Sequence, residues 1–145
     1  MKRPARVLLW ALFLLYLAVL LRITVFRSDF GSHPLFADGT VIWAPFVGLW
    51  EILQNSVSYF LYLFVGNLIW FVPFGLLVPL LTRRSPGQTV LLGFALSLLI
   101  EGMQFIFGTG FTEVEDLILN TLGTAIGCGL GGLCRKLFSH KSAAS

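Results

Sequence analysis

Four apolar runs, each long enough to cross a bilayer, fill most of this 145-residue chain. A spanning helix needs about 20 mostly apolar residues, and a water-soluble domain of this length has too little interior to hide four such runs. They cover about 7–26 ("VLLWALFLLYLAVLLRITVF"), 57–81, 89–107 and 117–138. Hydrophobic residues make up 57% of the chain and charged ones 12%, so the bilayer is the expected solvent. The fold class that follows is all-α and integral to a membrane: a four-span helical bundle, one domain over residues 1–145. The first run starts like a signal peptide, behind Lys2, Arg3 and Arg6. No small-residue cleavage site follows it, so it reads as an uncleaved anchor.

Basic residues set the expected orientation. Lys2, Arg3 and Arg6 precede the first span, Arg83 and Arg84 lie between the second and third, and Arg135, Lys136 and Lys141 follow the fourth. With both termini cytoplasmic, eight of the ten basic residues lie inside. The seven acids (Asp29, Asp38, Glu51, Glu101, Glu113, Glu115 and Asp116) then fall in outer loops or outer halves of spans. The net charge of +3 is accounted for by this placement and by anionic lipid heads, and it calls for no nucleic-acid partner. Cys128 and Cys134 are six apart among glycines, a spacing of neither a redox pair nor a metal site, and read as small packing residues. His33 and His140 carry no partner signature. No metal and no cofactor are expected.

Between the first two spans, "WAPFVGLWEILQN" predicts an interfacial amphipathic helix over about 45–55, with Pro45 in its first turn. Gly48, Glu51, Gln54 and Asn55 share one face, and Phe46, Leu49, Trp50 and Leu53 cover the rest. Trp43, Trp50 and Tyr59 suit a membrane interface. A short helix capping the bundle fits the pattern equally.

The polar residues inside the spans are few and aligned. Gly93, Ser97, Glu101, Gln104 and Gly108 form one stripe of the third span, and Asp116, Asn120, Gly123, Gly127 and Gly131 one of the fourth. Gly123, Gly127 and Gly131 repeat a small-xxx-small pattern that lets helix backbones approach, within the chain or between two copies. Asn67 stands alone in the second span, ahead of Pro73, whose ring should kink the helix and free the Ile69 carbonyl. Arg22, Asn67, Glu101, Gln104, Asp116 and Asn120 all fall in the outer half. An unpaired acid or base in hydrocarbon costs several kcal/mol, so one outer cluster that satisfies them together is expected. Each also has a plain role: Glu101, Asn67, Gln104 and Asn120 as interhelical hydrogen bonders, Arg22 snorkelling to head groups, and Glu113, Glu115 and Asp116 capping the fourth helix.

Three stretches together resemble one family. "NLIWFVPFGLLVPLL", "SLLIEGMQ" and "EVEDLILNTLGTAIG" are similar, in order and spacing, to the VanZ-like membrane proteins, and the likeness runs through almost the whole chain. "WAPFVGLW" looks like that family's Pro-Phe segment, Arg27 like its arginine after the first span, and Pro73 and Gly75 belong to its Phe-x-Pro-Phe-Gly segment. The family usually shows aspartates in the acidic turn, whereas here Glu113, Glu115 and Asp116 stand, and Asp116 alone matches directly. The resemblance implies a bacterial cell-membrane protein associated with lowered susceptibility to the glycopeptide teicoplanin.

Three functions follow as expectations. The first is a non-catalytic module in the outer leaflet, whose cluster of Arg22, Arg27, Asn67, Gln104, Asp116 and Asn120 binds the lipid tail of such a drug or a lipid-linked peptidoglycan precursor. The second is an intramembrane enzyme on a lipid-linked substrate, with Glu101 as acid or base, an arginine on a phosphate, and the acidic turn holding a divalent cation. No nucleophile–base pair accompanies Glu101 in the sequence. The third is a small proton-coupled transporter acting as a homodimer through the glycine face.

Overall fold

Each helix is bounded by local signals at its ends as much as by its apolar run. The computed structural model describes residues 3–28, 30–36 and 39–143, with side chains as far as residue 134. Lys2, Asp29 and Asp38 therefore lie outside the described residues, as do the side chains of Arg135, Lys136, His140 and Lys141. In chain order the elements are α1 (Arg3–Thr24), β1 (Thr40–Ile42), α2 (Val47–Asn55), α3 (Val57–Thr82), α4 (Pro86–Phe107), β2 (Phe111–Glu113) and α5 (Val114–Ala143). Four of them, α1, α3, α4 and α5, are long and apolar enough to cross a membrane.

The starts are chemically explicit. Ser56 separates α2 from α3: its N–H closes α2 on the Ile52 carbonyl at 2.7 Å, and its hydroxyl accepts from the Tyr59 N–H at 3.3 Å. α4 begins three residues before the expected Thr89. Ser85 and Gln88 form a reciprocal capping box, at 3.3 and 3.1 Å, and Pro86 occupies the first turn. Glu115 and Asp116 fall in the first turn of α5, where the positive end of the helix dipole favours acids. At the start of α2 the expectation needs correction. Pro45 lies before the helix, because Phe46 takes a left-handed conformation (φ +64°) and α2 starts at Val47.

α3 carries Pro73 and Pro79, each of which removes one backbone donor from the helix ladder. The carbonyl that Pro79 deprives is that of Gly75, and it accepts from the Cys128 thiol at 3.3 Å. Cys128 thus supplies a hydrogen bond in addition to filling space. Near Pro73 the Tyr16 hydroxyl donates to the Trp70 carbonyl at 2.7 Å, one residue beyond the expected Ile69.

α3 and α5 run parallel in close contact. A Cβ at Gly123 would overlap the Leu68 carbonyl, one at Gly127 the Val72 carbonyl, and one at Gly75 the Thr124 carbonyl. Gly131 is looser, with the Leu76 Cδ1 methyl 3.2 Å from such an atom. The glycine face is therefore filled by α3 of the same chain and is not open to a second copy. α4 joins them through Gly93, which backs onto the Thr124 side chain. α1 packs more lightly, through Phe13 on Phe74, Val78 and Leu81, and through Leu20 and Val25 on Phe71 and Ile100.

One element was not expected. β1 and β2 form a short parallel pair, Thr40 to Phe111, Val41 to Thr112 and Ile42 to Glu113. It ties the loop after α1 to the turn between α4 and α5, and a Cβ at Gly39 would meet the Phe105 ring and carbonyl. α1 and α4 end, and α3 and α5 begin, at this strapped end of the bundle.

A polar groove at the strapped end

Six hydrogen bonds between different elements converge there. Asn67 of α3 donates from Nδ2 to Asp116 Oδ1 of α5. Asn120 of α5 donates to Ser97 Oγ of α4 at 2.9 Å, and Gln104 of α4 donates to the Thr24 carbonyl of α1 at 3.2 Å. The Phe46 N–H donates to Glu115 Oε2 at 2.6 Å, which holds the left-handed Phe46 in place. Glu101 Oε2 accepts from the Glu113 N–H at 3.0 Å, while the Glu101 carbonyl accepts from the Thr112 hydroxyl at 3.1 Å. Glu101, 4% exposed, is thereby a strap between α4 and β2.

Interhelical hydrogen bonds in membranes contribute only about 0.6 kcal/mol each on average. Holding helices together is a weak reason to collect so many carboxylates at one end. A second feature is more telling. Between the end of α1 and the first half of α3 lies a groove of about 620 Å³, within the range of small-molecule sites. Arg27, Asn67, Gln104 and Asp116 make its polar part; Ile23, Leu61, Val65 and Ile69, all exposed on the helix surfaces, are among its apolar walls.

Of the six residues expected to cluster, the structure brings four into this groove. Arg22 is not among its lining residues, and its guanidinium donates to the Phe26 carbonyl. Asn120 sits one turn below Asp116, buried against Ser97. Glu101 is likewise absent from the lining. Sequence reasoning did not single out Thr24, Tyr62, Gly66 or Trp70, which also line it. Tyr62, Gly66 and Trp70 have spacing by four along α3 as their only signal, indistinguishable there from ordinary lipid-facing positions, and Thr24 has none beyond closing α1.

Glu113, Glu115 and Asp116 bring carboxylate oxygens within 4.8 Å of one another, close enough for a hard divalent cation to bridge. Glu115 and Asp116 each already accept a hydrogen bond within the protein, so two of the three are engaged in holding the fold. Burial pushes the Glu113 carboxyl up to about 7, reinforced by the charges of Asp116 and Glu115 and by a hydrogen bond with Glu115. Folded Glu113 therefore keeps its proton to higher pH than the unfolded residue, which titrates near 4.5. Its contribution to stability is whole below about 4.5 and is lost as pH rises through about 7. Detergent-purified protein should unfold at a higher temperature at pH 5 than at pH 8. Glu113→Gln should flatten that slope, and an unchanged slope would rule Glu113 out as its source.

These features define a four-span helical membrane protein with a lateral, partly polar groove at one end. The class has a family. A family model described as VanZ/LLP1 matches residues 13–135, and the chain belongs to that VanZ-like family. It is 39% identical over 79 residues to Protein VanZ of Enterococcus faecium, a match that covers 53% of this chain and about half (48%) of that protein's length. No solved structure matches the chain.

Proposed function

We propose that this protein acts at the outer face of the bacterial cell membrane, binding a membrane-anchored amphiphile in the groove and so lowering susceptibility to lipidated glycopeptides such as teicoplanin. The observation that carries the reading is the groove itself, with apolar walls on the exposed faces of α1 and α3 and a polar floor drawn from four parts of the chain. The motif residues behind the family resemblance, Arg27, Asn67 and Asp116, meet in it together with Gln104. The amphiphile is the lipid tail of the drug or the lipid-linked cell-wall precursor that the drug targets. Sequestering either reduces productive drug binding. The outward placement of the strapped end is supported by charge: Arg3, Arg6, Arg83 and Arg84 sit at the opposite end of the bundle, as cytoplasmic basic residues do.

Gly66 gives a clean test. It lines the groove, and a Cβ there would meet nothing within 4 Å, so a side chain starts into open space and a tryptophan is expected to fill part of the groove. Wild type, expressed in a sensitive Gram-positive host, should raise the inhibitory concentration of teicoplanin and leave vancomycin, which lacks the acyl tail, nearly unchanged. Gly66→Trp, at matched membrane levels, should lose the protection. Equal protection by both proteins would show that the groove is not the site.

A further inference from the structure

The α3 wall of the groove carries two aromatic rings with a gap between them. Tyr62, Gly66 and Trp70 are spaced by four, so they stand on one face of the helix, each about 6 Å along the axis from the next. All three line the groove, and both rings are exposed, Tyr62 at 74% and Trp70 at 40%. The Tyr62 ring stacks on that of Tyr59, 11° from parallel with centroids 6.4 Å apart, which steadies it. Between the rings Gly66 contributes no side chain, and a Cβ there would meet nothing within 4 Å. Aromatic rings on either side of an open position suit a cation, which the electron-rich ring face attracts.

Asp116 supplies the opposite charge. It is partly exposed and lines the same groove. Its Oδ1 accepts from Asn67, the residue next to Gly66, so the carboxylate stands at the level of the gap. Its Oδ2 accepts from none of the described residues. Glu113 and Glu115 bring further carboxyl oxygens within 4.8 Å of it. Like charges this close repel, and a cation beside them relieves the repulsion. Arg27, which also lines the groove, is already engaged within the protein.

We propose that the groove selects a bilayer lipid whose head carries a primary ammonium. The lipid enters sideways between α1 and α3. Its ammonium sits over Gly66 between Tyr62 and Trp70 and donates to Asp116 Oδ2, with its chain against the exposed Val65 and Ile69. The inference rests on the amphiphile-binding reading and deepens it by naming the head-group chemistry. A lipid tail alone meets the walls and leaves Asp116 unanswered.

Three chain-labelled probes separate the contributions, each added in trace to the full protein in phosphatidylcholine nanodiscs at neutral pH and read by spin-label immobilisation. Octadecylamine carries charge and N–H donors, octadecyltrimethylammonium the charge without the donors, and octadecanol a neutral hydroxyl. Wild type should favour the amine about tenfold and the trimethylammonium about threefold over the alcohol, the scales of a charge-assisted hydrogen bond and an exposed cation–π contact. Asp116→Asn keeps an oxygen for the Asn67 bond and should remove most of the amine's advantage over the trimethylammonium. Tyr62→Leu should bring the trimethylammonium down to the alcohol and leave the amine ahead. Because these are ratios measured on one protein sample, a partial loss of folded material does not mimic them. Glu51→Gln removes an exposed acid outside the groove lining and should change neither ratio. A loss there equal to that in Asp116→Asn would show a general attraction of cations and overturn the assignment. Immobilisation that disappears in Gly66→Trp yet is equal for all three probes would overturn the ammonium assignment and leave the amphiphile reading standing. Immobilisation unchanged by Gly66→Trp would overturn both.

Discussion

Gly127→Val should leave almost no folded protein in the membrane, whereas Gly131→Ala should accumulate close to wild-type levels. The two glycines lie one turn apart on the same face of α5 and differ in what stands opposite. At Gly127 an added Cβ meets the Val72 carbonyl, with the Gly75 Cα at 3.0 Å, so backbone blocks it. At Gly131 the nearest atom is a Leu76 methyl, the end of a side chain that can change rotamer. Between membrane helices the association free energy comes from close van der Waals contact and hydrogen bonds, without a hydrophobic term to spare. Forcing α5 away from α3 loses that contact along the glycine face. It also separates Cys128 from the Gly75 carbonyl and Asn67 from Asp116. Overpacking at one site costs about 1–3 kcal/mol where neighbours can yield, and more where backbone cannot, against a total stability of about 5–15 kcal/mol. Monodisperse yield on size exclusion and the midpoint of thermal unfolding would measure it. A Gly127→Val protein with wild-type yield and midpoint would show that α3 and α5 are not packed as described.

The glycine face also shows how much the sequence carries and where it stops. Spacing by four in Gly123, Gly127 and Gly131 announced a close helix contact, and the apolar runs announced four spans. Spacing could not say whether the partner was another helix of the chain or another copy, because both present the same surface to a glycine. Depth placed Asn67, Gln104 and Asp116 at one level, and the structure joins them in one groove with Arg27. Depth does not fix azimuth. Arg22 lies in the last turn of α1 and Arg27 three residues beyond its end, and of the two Arg27 alone reaches the groove. Glu101 and Asn120 share the stripes of Gln104 and Asp116 but lie one turn deeper, where the helices already touch. The strap of β1 and β2 was not legible for a different reason. Each strand is three residues long, Thr40–Ile42 and Phe111–Glu113, and a parallel pair between segments about 70 residues apart leaves no local pattern. Both follow a glycine, Gly39 and Gly110, and the close approach of Gly39 to Phe105 is the nearest thing to a signature.

Glu101→Gln should fold as wild type does and keep whatever protection wild type gives, while Glu101→Leu should lose stability and protection together. A carboxylate in a membrane helix invites a chemical role, but its geometry here describes a strap. Its Oε2 accepts the Glu113 N–H at 3.0 Å, its own carbonyl takes the Thr112 hydroxyl, and it stands outside the groove lining. Glutamine retains a side-chain oxygen at that position and can accept the same bond. Leucine cannot, and it leaves the part-buried Glu113 N–H without that partner, at a cost of about 1 kcal/mol. The damage would spread from there. β2 would loosen from α4, the Glu113–Asp116 turn would shift, and Asp116 would carry its bond to Asn67 out of register with the groove. Thermal midpoints and teicoplanin susceptibility, measured on the same pair of variants, separate this from catalysis. General acid–base chemistry at Glu101 requires a proton that glutamine does not exchange, so it demands a Glu101→Gln protein that is folded, present and inactive. That outcome would return Glu101 to the centre of the mechanism. A folded and protective Glu101→Gln instead leaves Glu101 a strap, consistent with its place outside the groove lining.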